Sequence, residues 1–256
     1  MKTSIKFKKF WMAPIPADGG IATDWYALSE GTREGTLVLQ GSAATVNNYK
    51  NINGNNIESS KTKGDKTVAF QYANLEATPL SMLTGDEVTI TSDYTLITPA
   101  ENANQDIELA FMLLTEKNIL IILPRVSVDA FENISDNDLH FYEVAGTVLV
   151  PEGSGIKHKY EYNLTPAGAA KNDITAFTLA EQTGAATIDS GAKTVAITVA
   201  ALTDPSALVP TITCSLGATT DPASGESTDF TSPVEYAVEA ADGSVATWTV
   251  TVTVAS

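Results

Sequence analysis

The chain has 256 residues, with 15 Lys and Arg against 31 Asp and Glu, so its formal net charge is −16. Proteins that grip phosphate backbones need clustered basic residues, so this charge disfavours direct nucleic-acid binding and favours solubility. The only cysteine, Cys214, excludes an internal disulfide, and the length suits one large domain or two ordinary ones.

The N-terminal segment MKTSIKFKKFWMAPIPADGG has the charge of a signal peptide but lacks its continuous apolar run. Elsewhere, the most apolar stretch, IELAFMLLTEKNILIILP, is interrupted by charge before it reaches the length that spans a bilayer. We therefore expect a protein that is soluble and intracellular when made, without a membrane partner.

A long polar stretch, TVNNYKNINGNNIESSKTKGDKTVAF, runs from Thr45 to Phe70 without an apolar cluster before Val68. Loops of this length without secondary structure are uncommon in compact domains and are usually functional or disordered. The sequence therefore predicts a functional or disordered loop here.

The rest of the N-terminal part is predicted to be mainly β, with one short helix. Thr78 can cap this helix, Pro79 suits its first position, Leu80 and Leu83 form an apolar face, and Gly85 ends it. The predicted strands are GTLVLQG, KTVAFQYA, EVTITSDYTLIT, IELAFMLLT, NILIILPRVSVDAF, HFYEVAGTVLVPE and IKHKYEYNL.

Residues suited to catalysis are few. The two histidines, His140 and His158, have no Cys or His partner at metal-ligand spacing, and no glycine-rich phosphate loop or GxSxG turn is present. The run DAFENISDNDLH lacks the ligand spacing of an EF-hand loop, so a solvated acidic loop is favoured over a cation site. Its carboxylates are Asp129, Glu132, Asp136 and Asp138. We expect no enzyme activity and no cofactor.

Charge divides the chain, because only Lys193 among the basic residues follows Lys171. The segment around Pro166 and Gly168 has the composition of a linker. The predicted division is a domain over residues 1–165, a linker over 166–172 and a second domain over 173–256.

The second domain shows clear strand patterns. WTVTVTV alternates strictly, which places Trp248, Val250 and Val252 on one face as core residues, and ADGS forms a hairpin turn before it. About seven short strands predict an antiparallel sandwich of immunoglobulin (Ig) type. The run from ITAFTLAEQTG to ATWTVTV resembles the Ig-like domains common in surface and phage proteins associated with Bacteroidetes.

The N-terminal part resembles the tail tube proteins of long-tailed bacteriophages. The resemblance rests on the order of elements and on TKGDKTVAFQYANLEATPLSMLTGDE, followed by long hairpins and FYEVAGTVLVPE. It implies an all-β fold, a tail-tube-type β-sandwich or barrel-forming domain followed by an Ig-like β-sandwich. It also implies a virion protein whose hexameric rings stack into a tube for DNA ejection.

In that family a long loop contacts neighbouring subunits, and amides, a tyrosine and lysines suit such a surface. The alternative is a solvated surface loop. The predicted inter-subunit residues are Asn47, Asn48, Tyr49, Asn51, Asn53, Asn55, Asn56, Lys61, Lys63 and Lys66.

The partners implied are further copies of the chain, other tail proteins, and double-stranded DNA that passes an acidic lumen without specific binding. The protein is expected in the virion tail after synthesis in the host cytoplasm, with the Ig-like domain as an outward decoration. The alternative is a surface-associated, two-domain β protein that binds glycans through exposed Trp11, Trp25 and Tyr26.

Overall fold

The computed structural model describes residues 6–43, 45–50, 56–62, 64–74, 76–91, 95–99, 106–134 and 140–255. The chain forms two compact units. Unit 1 comprises Met1–Ser29, Ala110–Pro124 and Glu152–Ser256, and unit 2 comprises Glu30–Leu109 and Arg125–Pro151. The described part is mostly β-sheet with a few short helices, so the all-β prediction is confirmed.

The elements before the Ig-like segment are, in chain order, β1 Phe7–Pro14, β2 Tyr26–Ala27, β3 Val38–Gly41, β4 Thr45–Lys50, β5 Asn56–Thr62, β6 Lys66–Tyr72, α1 Ala77–Thr84, β7 Glu87–Ile90, β8 Thr95–Thr98, β9 Ile107–Thr115, β10 Ile119–Ile134, β11 His140–Val148, β12 Tyr160–Asn163 and α2 Pro166–Ala169. The Ig-like segment contains β13 Ile174–Thr178, β14 Thr187–Asp189, β15 Thr194–Val199, a 3-10 turn at Pro205–Ala207, β16 Thr211–Cys214, β17 Thr219–Asp221, β18 Val234–Glu239 and β19 Val245–Val254.

The largest sheet has the strand order β2-β1-β9-β10-β11-β6-β3, and β12 also pairs with β10. Within unit 1, the first part of β10 pairs with β12 through Ile119↔Asn163 to Ile122↔Tyr160. β9 turns into β10 at Asn118, whose φ of 57° and backbone bond to Thr115 close the turn. The two strands are therefore joined by a tight turn over residues 116–118.

The apolar residues of β9 and β10 explain why this part of the sheet is central. Burial covers seven consecutive positions of β9, from Leu109 to Thr115, and Leu120 to Leu123 of β10. A continuous apolar run is typical of strands covered on both faces. β9 is also paired on both edges, with β1 on one side and β10 on the other, so it is an inner strand of the sheet.

Unit 2 contains the second part of β10 with β11, β6 and β3. β6, β11 and the second part of β10 alternate, so Val126 and Val128 on β10 and Val68 and Phe70 on β6 face the unit's core. Arg125 donates from Nε and Nη2 to the two carboxylate oxygens of Glu108, at 2.7 and 2.8 Å. This bidentate ion pair joins the start of β9 to the middle of β10 within the unit.

Helix α1 buries Pro79, Leu80 and Leu83 and ends at Gly85, whose φ of 76° is the left-handed conformation that glycine adopts without steric cost. The predicted end is confirmed. The predicted start is wrong, since the helix begins two residues earlier and its N-cap is Glu76 rather than Thr78. Pro79 tolerates this position because the first turn has no intrahelical partner for its missing N–H.

The Ig-like segment has two sheets, β13-β16 and β14-β15-β19-β18-β17. Trp248 and Val250 are fully buried in its core, and Val252 packs against that core. The Trp248 indole N–H donates to the Asn172 carbonyl at 3.0 Å. One difference from the predicted antiparallel sandwich is that β15 and β19 pair in parallel.

The residues predicted as a linker, 166–172, lie within unit 1. α2 begins after Thr165, whose hydroxyl accepts a hydrogen bond from the Gly168 N–H. Ala169 is fully buried, and its carbonyl accepts a bond from the Asp242 N–H. The division into a domain over 1–165, a linker over 166–172 and a second domain over 173–256 stays a prediction.

Candidate functional site

A cleft of about 230 Å³ lies in unit 1 between the sheet that contains β9 and β10 and the Ig-like segment. It is lined by Ile21, Ala22, Thr23, Trp25, Met112, Ile122, Ile212, Thr213, Cys214, Ser215, Leu216, Gly217, Ala218, Thr219, Thr220 and Ser224. Apolar walls with a few polar groups are typical of small-ligand sites, so this cleft is the candidate binding site.

Trp25 supplies the large aromatic surface of the cleft. It directly precedes β2 and is half-buried. Its ring packs against one apolar cluster that includes Trp11 and Met112, and against a second one formed by Ala13, Ala22 and Ala110. Because small and large apolar side chains support the ring, it is a rigid wall rather than a mobile side chain.

The polar part of the cleft is organised by Ser224, which is 7% exposed. Its hydroxyl donates to the Asp24 carboxylate at 2.5 Å and accepts a hydrogen bond from the Ile212 N–H at 2.9 Å. Both bonds use the ordinary capacity of a hydroxyl, one donor and two acceptor lone pairs. This network connects the segment before β2 to β16.

Gly217 allows the cleft wall to approach the sheet closely. Its φ is 81°, and a Cβ there would lie 3.2 Å from the Cβ of Ala241 and 3.7 Å from both δ-carbons of Leu120. A side chain would be strained by the positive φ and crowded by Ala241. Glycine at this position therefore sets the distance between the Ig-like segment and β10.

Two titratable groups near the cleft are shifted. Burial is the main cause that raises the pKa of Tyr26, and the carboxylates of Asp24 and Glu226 raise it further. Burial alone raises the pKa of the Cys214 thiol to about 12. Both groups are therefore neutral at physiological pH, and Tyr26 lies in a locally negative field.

The lining offers hydroxyls, an aromatic ring and apolar side chains. Among the lining residues, all of them in the described part of the chain, none carries a formal charge at neutral pH. Such a surface can hydrogen-bond a neutral hydroxylated molecule while packing against its apolar faces.

The three aromatic residues predicted to bind glycan differ in burial and in position. Trp11 is not exposed: it is 2% accessible and belongs to the apolar core under the cleft. Trp25 lines the cleft, and Tyr26 is half-buried beside the Asp24 and Glu226 carboxylates. The sequence does not show that Trp11 is buried, because the charged run KFKK precedes it and the surrounding residues lack the alternation of a half-exposed strand.

The polar stretch predicted as a loop forms a hairpin instead. β4 and β5 pair from Thr45↔Thr62 to Tyr49↔Glu58, with an irregularity between Tyr49 and Lys50. Asn47, Asn48 and Tyr49 lie on β4, Asn56 and Lys61 lie on β5, and Lys66 begins β6, while Asn51, Asn53, Asn55 and Lys63 lie outside the described residues. The absence of secondary structure expected for this stretch is therefore wrong, since backbone pairing does not need apolar side chains.

His140 lies next to the described part of the acidic run. His140 Nε2 lies 2.9 Å from Glu132 Oε1, although the geometry is not that of a hydrogen bond. Asp136 and Asp138 lie outside the described residues. Among the residues that the structure describes, no group of three or more His, Cys, Asp or Glu side chains is arranged to hold a metal ion.

Residues 174–252 match the family model described as "SGBP, N-terminal", a starch- or glycan-binding protein domain. The matched residues fall within the predicted Ig-like domain. No curated protein matches the chain.

Two solved structures are similar to parts of the chain. One is a protein described provisionally as a glycoside hydrolase from Bacteroides thetaiotaomicron, with 40% identity, a TM-score of 0.31, and coverage of 32% of this chain and 25% of that chain. The other is a protein described provisionally as secreted, from Bacteroides fragilis, with 20% identity, a TM-score of 0.28, and coverage of 35% of this chain and 99% of that chain. The chain therefore spans a quarter of the length of the first.

These findings correct the tail-tube identification. The family match points to a glycan-binding protein, so the predicted virion structural role, the hexameric rings, the other tail proteins and the passage of DNA are wrong. The location in the virion tail is wrong for the same reason. β9 and β10 also have paired neighbours on both sides within the chain, so neither strand offers an open edge to a second copy.

No helix in the described part of the chain is both long and apolar enough to cross a membrane.

Proposed function

We propose that the protein is a surface-associated, two-domain β protein that binds a neutral glycan in the cleft at Trp25. The observation that carries the proposal is the half-buried Trp25 ring in a cleft that is lined by hydroxyl-bearing residues and carries no formal charge. The family match over residues 174–252 supports glycan as the ligand class.

The chemistry of a sugar suits this arrangement. A pyranose ring presents C–H groups on its faces and hydroxyls around its rim, so it needs an apolar platform and donors and acceptors at the edge. Trp25 offers the platform, and Thr213, Thr219 and Thr220 offer hydroxyls. A site whose hydroxyls pair with sugar hydroxyls disfavours ligands that lack them, because the site's own polar groups are then left unpaired.

Charge favours a neutral glycan over an anionic one. The net charge is −16, and the Asp24 and Glu226 carboxylates raise the pKa of nearby Tyr26. A uronate or sulfate group would be repelled by this field. We further propose that the protein binds without catalysis, which keeps the sequence-based prediction that it is not an enzyme.

Affinity electrophoresis tests the proposal. The purified chain is run through native gels that contain soluble starch, xylan, β-mannan, laminarin or dextran, and through gels with polygalacturonate or chondroitin sulfate. We expect the protein to migrate more slowly in at least one gel with a neutral polysaccharide and to be unaffected by the anionic polysaccharides. Serum albumin is the non-binding control.

Unchanged migration in every gel would overturn glycan binding. Retardation in anionic gels alone would overturn the preference for a neutral ligand. Reducing ends are measured after overnight incubation with the retained polysaccharide, and their release above a blank would show that the protein is an enzyme.

A further inference from the structure

Two tyrosines on β12 form an aromatic pair outside the cleft. Tyr160 and Tyr162 are two residues apart, so their side chains leave the strand on the same face. Their rings are nearly parallel, with 8° between the planes and 6.4 Å between the centroids. The Tyr160 hydroxyl accepts a hydrogen bond from the Lys157 N–H at 3.1 Å, which fixes the first ring.

The register of β10 and β12 connects this pair to the cleft. Tyr160 is opposite Ile122, which lines the cleft, and Tyr162 is opposite Leu120, which faces the Gly217 position in the cleft wall. Opposite residues in an antiparallel pair share one face of the sheet. The tyrosines therefore lie on the face that forms the cleft.

The same apolar cluster supports all three half-buried aromatics. Trp25, Tyr160 and Tyr162 each pack against the cluster that contains Met112, Leu120 and Ile122. In unit 1 the strands follow the order β2-β1-β9-β10-β12, so four strand spacings separate β2, which Trp25 directly precedes, from β12, which carries the tyrosine pair. At about 4.8 Å per spacing, β2 and β12 are about 19 Å apart, so the face between these two strands is several times as wide as one sugar ring.

We infer that Tyr160 and Tyr162 form a second contact point for the glycan, so that the site takes a chain of several sugars rather than a single sugar or a disaccharide. This inference rests on the proposed function. One end of the glycan occupies the cleft at Trp25, and the glycan passes Ile122 to reach the tyrosine pair. Rigid aromatic side chains suit this role because they add contact area at low entropic cost.

Calorimetric titration tests the inference with the disaccharide and the hexasaccharide of the neutral polysaccharide that retards the protein. The double variant Tyr160→Ala/Tyr162→Ala is expected to bind the hexasaccharide at least about fivefold more weakly and the disaccharide within about twofold of wild type. Trp25→Ala is expected to weaken both. Phe131→Ala, which removes an exposed aromatic outside the cleft, is expected to match wild type.

The outcomes separate the two proposals. If the double variant binds the hexasaccharide as wild type does while Trp25→Ala is weakened, the tyrosine contact is wrong and glycan binding stands. If wild type binds neither oligosaccharide, both are wrong. Circular dichroism checks the fold of each variant, and should the double variant not fold, Tyr162→Ala alone is titrated against the same two ligands with the same criteria.

Discussion

Ser224 and Asp24 are 200 residues apart in the chain, and the Ser224 hydroxyl donates to the Asp24 carboxylate at 2.5 Å. The same hydroxyl accepts a bond from the N–H of Ile212 on β16. Asp24 immediately precedes Trp25, so this bond ties the segment that carries the aromatic wall to the Ig-like segment. The candidate site thus depends on both ends of the chain.

Ser224→Ala should therefore destabilise unit 1. The substitution leaves the buried Ile212 N–H without its partner and removes one hydrogen bond to the Asp24 carboxylate, which costs about 1–3 kcal/mol. Urea unfolding followed by circular dichroism measures the change. Thr231→Ala is the matched control, since the Thr231 hydroxyl bonds Asp229 at the exposed surface, and a change within about 0.5 kcal/mol is expected there. Equal effects for the two variants would show that the Ser224 network does not stabilise the fold.

The core of the Ig-like segment should be sensitive at Trp248. Trp248→Ala removes a fully buried ring and its bond to the Asn172 carbonyl, so we expect a loss of about 3–5 kcal/mol in the free energy of unfolding. Leu202→Ala removes a large apolar side chain that is 100% exposed in the same segment, and should change the value by less than about 0.5 kcal/mol. A loss below about 1 kcal/mol for Trp248→Ala would contradict its assigned place in the core.

Cys214 reports on the cleft through its reactivity. Only the thiolate reacts with iodoacetamide, and a pKa of about 12 in place of 9.0 lowers the thiolate fraction at pH 8 by about a thousandfold. Alkylation should therefore be far slower in the native protein than in urea. It should be slower still when the native protein has the polysaccharide bound in the cleft. Mass spectrometry over time measures both rates. Alkylation at equal rates with and without urea would show that the thiol is not buried.

The same pKa shift gives stability a pH dependence of defined sign. The folded state holds the Cys214 proton more tightly than the unfolded state, so this contribution is fully present below pH 9.0 and is lost as the pH rises towards about 12. Cys214→Ser, whose hydroxyl does not titrate in this range, should lose less stability than wild type between these values. If the urea midpoints of wild type and Cys214→Ser fall by the same amount over this pH range, the raised pKa of Cys214 is contradicted.

Much of the fold follows from local patterns. Trp248 and Val250 alternate with threonines, so their burial in one face could be read from the sequence. Gly85 ended α1 as predicted, because the left-handed conformation suits glycine. By contrast, the hairpin of β4 and β5 cannot be predicted from the sequence, since Asn, Ser and Lys give neither apolar alternation nor high β propensity.

The candidate site was only partly predictable. Trp25 stood out as an aromatic residue, but Ser224 lies among many Ser, Thr and Gly residues in TTDPASGEST and gives no local signal. Its role depends on contact with Asp24, which is set by tertiary packing. Tyr160 and Tyr162 likewise gain significance only from their register with Leu120 and Ile122.

The most direct test of glycan binding at the cleft is isothermal titration of wild type, Trp25→Ala and Phe131→Ala with the neutral polysaccharide that retards the protein. Trp25 lines the cleft, whereas Phe131 is an exposed aromatic on β10 outside it, with 57% of its surface accessible. We expect Trp25→Ala to weaken binding at least about tenfold, equivalent to about 1.4 kcal/mol, and Phe131→Ala to leave it unchanged. Equal affinity for wild type and a folded Trp25→Ala variant would contradict the assignment of the site.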